Sequence, residues 1–153
     1  MDTKTPEEVN QLAQWVIKSY TNKSKFETWN KFNIRDKSIG IHFGIFEELS
    51  SNITDEELKH VNTHNPLSQI NRKQIIDFMN TKINDWIIIA RGSEQSLYIA
   101  QIASSYYYQE LDGDENNEFC RHRKRLKNIS KIDPSFKRRY IIKTIVPYNS
   151  VYN

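Results

Sequence analysis

The feature that most limits how this chain can fold is a short run, Trp86-Ile87-Ile88-Ile89-Ala90. It is continuously apolar and rich in β-branched side chains, as a strand buried on both faces would be. Such a strand needs a covering layer on each side and partners along its edges, and the flanking sequence offers them. Arg91-Gly92-Ser93 reads as a turn. Residues 97–108 carry Leu97, Tyr98, Ile99, Ala100 and Ile102 before the run Tyr106-Tyr107-Tyr108. Residues 111–117 (LDGDENN) have the charge and turn chemistry of a loop. A basic segment follows, in which five of the seven residues 121–127 are Lys or Arg. The stretch 83–130 thus reads as strand, turn, long strand, acidic loop and basic strand.

A chain of 153 residues is long enough for one domain with its own core, so residues 1–153 are read as a single unit with its core over about 26–146. Aromatic residues make up 12%, too many for a disordered chain. The single cysteine, Cys120, excludes a disulfide framework and a CxxC metal site, and suits a reducing compartment. No apolar run approaches the length of a membrane-spanning helix or a signal segment. A soluble, cytoplasmic protein without a membrane partner is expected.

The net charge of +3 hides an asymmetry. Residues 119–143 hold ten basic residues against one acid, Asp133, while residues 1–118 hold twelve basic and eighteen acidic. A basic block on an otherwise acidic chain points to a polyanionic partner, of which nucleic acid is the commonest.

Upstream, Thr5-Pro6-Glu7-Glu8 is a helix start, with Thr5 as N-cap and Glu8 three residues on. Val9, Leu12, Ala13, Val16, Ile17 and Tyr20 continue at helical spacing, so a helix is expected over about 5–20, with Trp15 near its apolar face. Phe26, Trp29 and Phe32 follow in a polar setting and either seal the core or line a pocket. Residues 38–46 (SIGIHFGIF) alternate Ile39, Ile41 and Phe43 with Gly40, His42 and Gly44: a strand with one bulky and one bare face. The bare face admits another backbone or a flat ligand; a bulged strand packed under a helix explains it equally. Thr54-Asp55-Glu56-Glu57 is a capping box before a short helix. A second helix begins near Asn71 and presents Ile75, Ile76, Phe78 and Met79. Residues 140–146 (YIIKTIV) read as a closing strand.

This order predicts an α+β domain: a small, curved, mostly antiparallel β-barrel flanked by helices. The expected strands are residues 86–90, 97–106, 119–126 and 140–146, with 39–43 closing the sheet.

Four segments together carry a family likeness. They are Ile39-Gly40-Ile41-His42-Phe43-Gly44 with Leu49-Ser50, then Ile83-Asn84-Asp85-Trp86-Ile87-Ile88, then Ile99-Ala100-Gln101-Ile102 with Tyr106-Tyr107-Tyr108, then His122-Arg123-Lys124-Arg125-Leu126. In this order they resemble the EVE-like branch of the PUA-like superfamily, over about residues 26–129. Such domains often head modification-dependent restriction enzymes of the Mcr type, and the related YTH domains read methylated adenine. Phe43 stands where that pattern prefers Trp, Asn84 replaces a Gly, Lys124 takes an Arg place and Asn128 takes a Trp place.

The resemblance implies a PUA-like barrel that reads a modified, methylated base in double-stranded DNA, as the specificity module of a restriction system with a nuclease or NTPase effector domain or subunit. A base hidden in the stack must be flipped out at a cost of a few kcal/mol. It then needs aromatic walls, since stacking on a ring is worth roughly 1–3 kcal/mol per base. Trp29 and Phe43 are the favoured walls, with Trp86 and Tyr106 as further candidates, and Ser38, Gly40 and His42 would meet the base edge. In a strand alternate residues share a face, so Arg121, Arg123, Arg125 and Lys127 form one row at about 7 Å intervals, suited to phosphates. Arg138 and Arg139 are expected to extend that track.

No nucleophile motif, calcium loop or third ligand for His60 and His64 is evident, so the chain is read as non-catalytic, with no cofactor and no metal. A reader of modified RNA and a protein-interaction module that meets an acidic partner are the alternatives.

Overall fold

The computed structural model describes residues 1–20, 31–61, 63, 66–91, 95–109, 121–139 and 142–146. Within them run β1 (Thr3–Lys4), α1 (Pro6–Leu12), β2 (Trp15–Tyr20), a π-helical turn (Lys31–Arg35), β3 (Ser38–Ile41), α2 (Asp55–Leu58) and α3 (Gln69–Asn80). There follow β4 (Trp86–Arg91), β5 (Gln95–Ile102), β6 (Tyr107–Tyr108), β7 (His122–Ile132) and β8 (Lys143–Ile145). The strands form one curled sheet in the order β1-β7-β5-β4-β2-β8, with β3 and β6 both added to β7. The fold is α+β, as the sequence suggests. No described helix is long and apolar enough to cross a membrane.

Strand β4 is buried on both faces. Ile87 and Ile89 enter a larger core with Ile39, Ile41, Phe43, Phe78 and Leu126. Ile88 and Ala90 enter a smaller core with Val9, Val16, Ile99, Ile132 and Phe136. Helix α3 supplies Ile75, Phe78 and Met79 to the larger core, and α1 supplies Val9 to the smaller.

The helix expected over 5–20 is corrected. Its start is as read: Thr5 Oγ1 accepts from the Glu8 amide at 3.2 Å, and the Thr5 amide donates to Glu8 Oε1 at 3.1 Å. It ends at Leu12, however, and Trp15–Tyr20 is strand β2. The spacing of Val16 and Ile17 satisfies a helical stripe, but tertiary pairing decides the outcome. Gln14 hooks the chain to the start of β4: its amide donates to the Trp86 carbonyl, and its Oε1 accepts from the Trp86 amide, both at 3.0 Å. Strand β2 then pairs in parallel with β4 (Val16↔Ile88) and β8 (Val16↔Thr144), placing Val16 in one core and Ile17 in the other.

The sheet is also more mixed than expected. The β4–β5, β5–β7, β3–β7 and β6–β7 pairings are antiparallel, whereas β1–β7, β2–β4 and β2–β8 are parallel. All three parallel pairings involve β1, for which the sequence suggests no element, or β2, in the region read as helix.

Three other boundaries move. The strand expected over 97–106 leaves the ladder after Ile102, and β6 rejoins β7 separately. The strand expected over 39–43 stops at Ile41, because Phe43 (φ 56°) and Gly44 (φ 64°) turn through left-handed backbone. Strand β7 continues past Leu126 to Ile132. It contains a bulge: its register with β5 shifts between Ile99↔Ser130 and Gln101↔Lys127, and Asn128 there has φ 53°. The bulge reverses the alternation, so Leu126 and Ile129 both face the larger core while Ile132 faces the smaller. Phe26, Trp29, Gly92, Ser93, Phe119, Cys120, Tyr140 and the loop 111–117 lie outside the described residues.

Candidate nucleic-acid interface

The first half of β7 is the middle strand of a small sheet, with β3 on one edge and β6 on the other. Ser38, Ile39, Gly40 and Ile41 pair with Arg125, Lys124, Arg123 and His122, while Tyr107 and Tyr108 pair with Arg123 and His122. Alternation therefore sorts the basic segment into an inner row, His122, Lys124 and Leu126, and an outer row, Arg121, Arg123, Arg125 and Lys127.

The inner row is structural. Lys124 is 2% exposed, and its Nζ donates to the Met79 carbonyl (3.1 Å), the Thr81 carbonyl (2.7 Å) and Thr81 Oγ1 (2.8 Å). All three ammonium protons are thus used to cap the C-terminal end of α3, where the helix leaves carbonyls without partners and its dipole favours a cation. The Phe78 ring lies 5.4 Å from Nζ. Burial lowers the ammonium to about 8, with Asp85 opposing the shift.

His122 is fully buried. Its Nε2–H donates to the Ile45 carbonyl at 2.8 Å, since that oxygen can only accept. Its Nδ1 then accepts from the Tyr106 hydroxyl at 2.8 Å, and that oxygen in turn accepts from the Leu49 amide at 3.1 Å. The imidazole is therefore neutral in one tautomer. Burial lowers it to about 4, against the Ile45 contact, and burial raises the Tyr106 phenol to about 12. The chain from Leu49 through Tyr106 and His122 to Ile45 ties β7 to the segment that follows β3.

The outer row carries the cations that meet solvent. Arg125 is exposed, with its guanidinium carbon 5.1 Å from the Tyr107 ring. Half-buried Arg121 lies 4.9 Å from the Phe46 ring, and its Nη1 donates to the Tyr108 hydroxyl at 3.4 Å. Lys127 donates to Asn84 Oδ1. Arg123 departs from the expected phosphate row: it is 5% exposed, lies opposite Gly40 and Tyr107, and donates from Nη1 to Gln109 Oε1 at 3.2 Å. Gly40, the residue without a side chain, is the β3 position directly opposite Arg123. Arg123 is thus taken into the sheet, and Arg121, Arg125 and Lys127 are the members of the outer row that reach solvent.

The expected base pocket is only partly assembled. Ser38 and Gly40 do lie beside the basic strand, on its outer face, although both are buried. Phe43 is 7% exposed and packs into the larger core, so it presents no open ring. Trp86 packs against the smaller core across the sheet from Phe43, with Lys4 Nζ 5.7 Å from its ring. Tyr106 is committed to His122, and His42 is half-buried next to that network. Trp29 lies outside the described residues. Phe43 and Trp86 therefore cannot wall one site: β4 presents Trp86 to the opposite side from Ile87 and Ile89.

Arg138 and Arg139 do not extend the β7 row. They line an open cleft of about 830 Å³ with Lys18, Lys137 and Val16, at the β2–β8 edge. Strands β5 and β4 intervene between β7 and β2, a separation of three strand spacings, roughly 14 Å. Sequence reasoning missed Lys18, hidden by the helix assignment, and the ring partners Tyr107 and Phe46. Tyr107 stands in the tyrosine run, but its place opposite Arg123, and so diagonal to Arg125, needed the register.

Among the described residues, no group of three or more His, Cys, Asp or Glu side chains is placed to hold a metal ion. No family model, curated protein or solved structure matches this chain.

Proposed function

We propose that this chain binds nucleic acid through the outer face of β3, β7 and β6. Arg121, Arg125 and Lys127 take backbone phosphates, and Tyr107, held under Arg125, offers a ring edge or face to a base. The observation that carries this reading is the pairing of the outer guanidinium groups with rings: Arg125 on Tyr107 and Arg121 on Phe46. Such stacking fixes a guanidinium's plane while leaving its N–H donors free to meet phosphate oxygens. Interleaved cations and rings are what a strand of bases and phosphates requires.

The finer part of the proposal is duplex DNA with a modified, methylated base as the ligand, read without catalysis on behalf of a separate effector. Its support is the motif resemblance, which spans β3, β4, β5 and β7. One methyl group discriminates by about 1–3 kcal/mol even in a shaped pocket, so tight selectivity needs flipping or avidity as well. The test measures binding to matched methylated and unmethylated duplexes and to methylated RNA, each across a salt series. Salt-dependent binding with preference for the methylated duplex is expected. Absence of salt-dependent binding to all of them would reject the nucleic-acid reading, and equal affinity for methylated and unmethylated duplex would reject the finer one.

A further inference from the structure

We propose that the cleft at the β2–β8 edge is a second site, which takes the triphosphate group of a nucleoside, either a free nucleotide or the triphosphorylated 5′ end of an RNA strand. Four cationic side chains, Lys18, Lys137, Arg138 and Arg139, line it, and among the described residues no carboxylate does. The nearest acid in sequence, Asp133, is engaged elsewhere: its Oδ1 accepts from the Ser135 amide at 2.9 Å and from the Ser135 hydroxyl at 2.7 Å.

The arrangement differs from a backbone track. Lys18 comes from β2, and the other three cations come from consecutive residues of the segment that follows β7, so positive charge approaches from two sides of one concavity. A duplex backbone calls for a row at strand spacing, whereas a convergent cluster fits one compact polyanion. A terminal triphosphate carries roughly four negative charges near neutral pH, given a second phosphate ionisation near pH 6. The volume of about 830 Å³ is in the range of small-ligand sites. Pro134, Ile142 and Val146, none of them buried, also line the cleft and give it an apolar side against which a nucleoside can lie. Burial also lowers Arg138 below its ordinary value, so this cation already stands in a partly dry environment, where charge-assisted hydrogen bonds are strongest.

The test uses the full chain, labelled with nitrogen-15 and titrated at constant ionic strength with inorganic triphosphate, with a nucleoside triphosphate, and with an RNA oligonucleotide bearing either a 5′-triphosphate or a 5′-hydroxyl. Saturable shifts are expected at Lys18, Lys137, Arg138, Arg139 and Thr144, with the triphosphate ligands binding at least about tenfold more tightly than the 5′-hydroxyl strand. Tighter binding of the free nucleotide than of the triphosphorylated strand identifies one source, and the reverse order identifies the other. Lys137→Gln with Arg139→Gln, both at exposed positions, is expected to lower triphosphate affinity about tenfold or more, whereas Arg125→Gln leaves it unchanged. The proposal is overturned by absence of saturable shifts, by shifts confined to residues 121–127, or by unchanged affinity in the folded double variant. Because the readouts separate the two surfaces, loss of DNA binding at β7 leaves this result standing.

Discussion

Lowering the pH from 7.5 to 5 should destabilise this protein through one side chain. His122 is buried, its Nδ1 accepts from Tyr106 and its Nε2–H is committed to Ile45. Protonating Nδ1 would remove the acceptor that the Tyr106 hydroxyl uses and place a cation beside Arg121 and His42, both of which already oppose it. The folded imidazole therefore titrates at about 4 against an unfolded value of 6.5. The folded value is the lower one, so between these values the unfolded chain binds more protons than the native state. Stability is full above pH 6.5 and falls as the pH drops toward 4. Linkage over this window gives a loss of about 2 kcal/mol by pH 5 and about 3 kcal/mol by pH 4.

Urea unfolding at pH 7.5, 6.5, 5.5 and 5.0 measures the loss, and His122→Gln supplies the control. The variant is less stable throughout, but its pH dependence across this range should be flat by comparison. Asp2, Glu56 and Asp133 are held below their ordinary values of 3.8, 4.5 and 3.8 by hydrogen bonds to Ser130, Lys59 and Ser135, so their contributions are lost mainly below pH 5.0, where the urea series ends. A proton NMR titration of the imidazole provides a second readout. A wild-type loss under about 0.5 kcal/mol at pH 5, or an imidazole that titrates near its ordinary value, would refute the reasoning.

Lys124→Ala should cost about 3–5 kcal/mol, because it strips the cap from α3 and leaves buried carbonyls without donors; a midpoint within experimental error of wild type in chemical denaturation would show that the cap is dispensable. Arg125→Gln with Lys127→Gln should reduce the slope of log affinity against log salt by about 1–2, while Arg123→Gln should mainly lower the melting temperature; the opposite assignment of effects would mean that the structural and phosphate-binding roles within the outer row are exchanged. At the bulge, Asn128→Gly should be tolerated and Asn128→Val should cost about 1–2 kcal/mol, since a β-branched residue resists positive φ; equal stability of the two variants in thermal unfolding would count against the bulge.

The parts of the fold that were legible in the sequence are those where local pattern and tertiary context agree. Trp86-Ile87-Ile88-Ile89-Ala90 has no polar position to turn outward, so a strand buried on both sides is its natural solution, and β4 is one. Thr5 and Thr54 cap helices because their hydroxyls and the Glu residues three positions on close reciprocal hydrogen bonds within one turn. Trp15–Tyr20 was misread because its apolar spacing fits a helix as well as a strand, and only the edges of β4 and β8 choose between them. The site was less legible still. Charge density identified β7, but five Lys and Arg residues within seven positions do not reveal which of them the interior will claim. Lys124 is claimed by the end of α3, and Arg123 is buried between β3 and β6 with its guanidinium on Gln109. Neither partner is near in sequence.

The bulge at Asn128 is what lets one basic strand serve two purposes. Before it, even-numbered residues face the larger core; after it, odd-numbered residues do. Without the extra residue, the alternation that buries Leu126 would carry Ile129 and Ile132 to the wrong faces, and the end of β7 could not close both cores. With it, the first half of the strand joins β3 and β6 and keeps its outer cations in a row, while β5 pairs across the bulge and the second half joins β1 as well in the main sheet. The strand then runs into Asp133 and Phe136, which enters the smaller core and carries Lys137, Arg138 and Arg139 to the cleft beside β2. The chain's continuous basic block is divided by this one irregularity and the turn that follows it. Two separate cationic surfaces result, one a strand face with rings beside its guanidinium groups, the other a cleft, and this difference is the reason to propose different ligands for them.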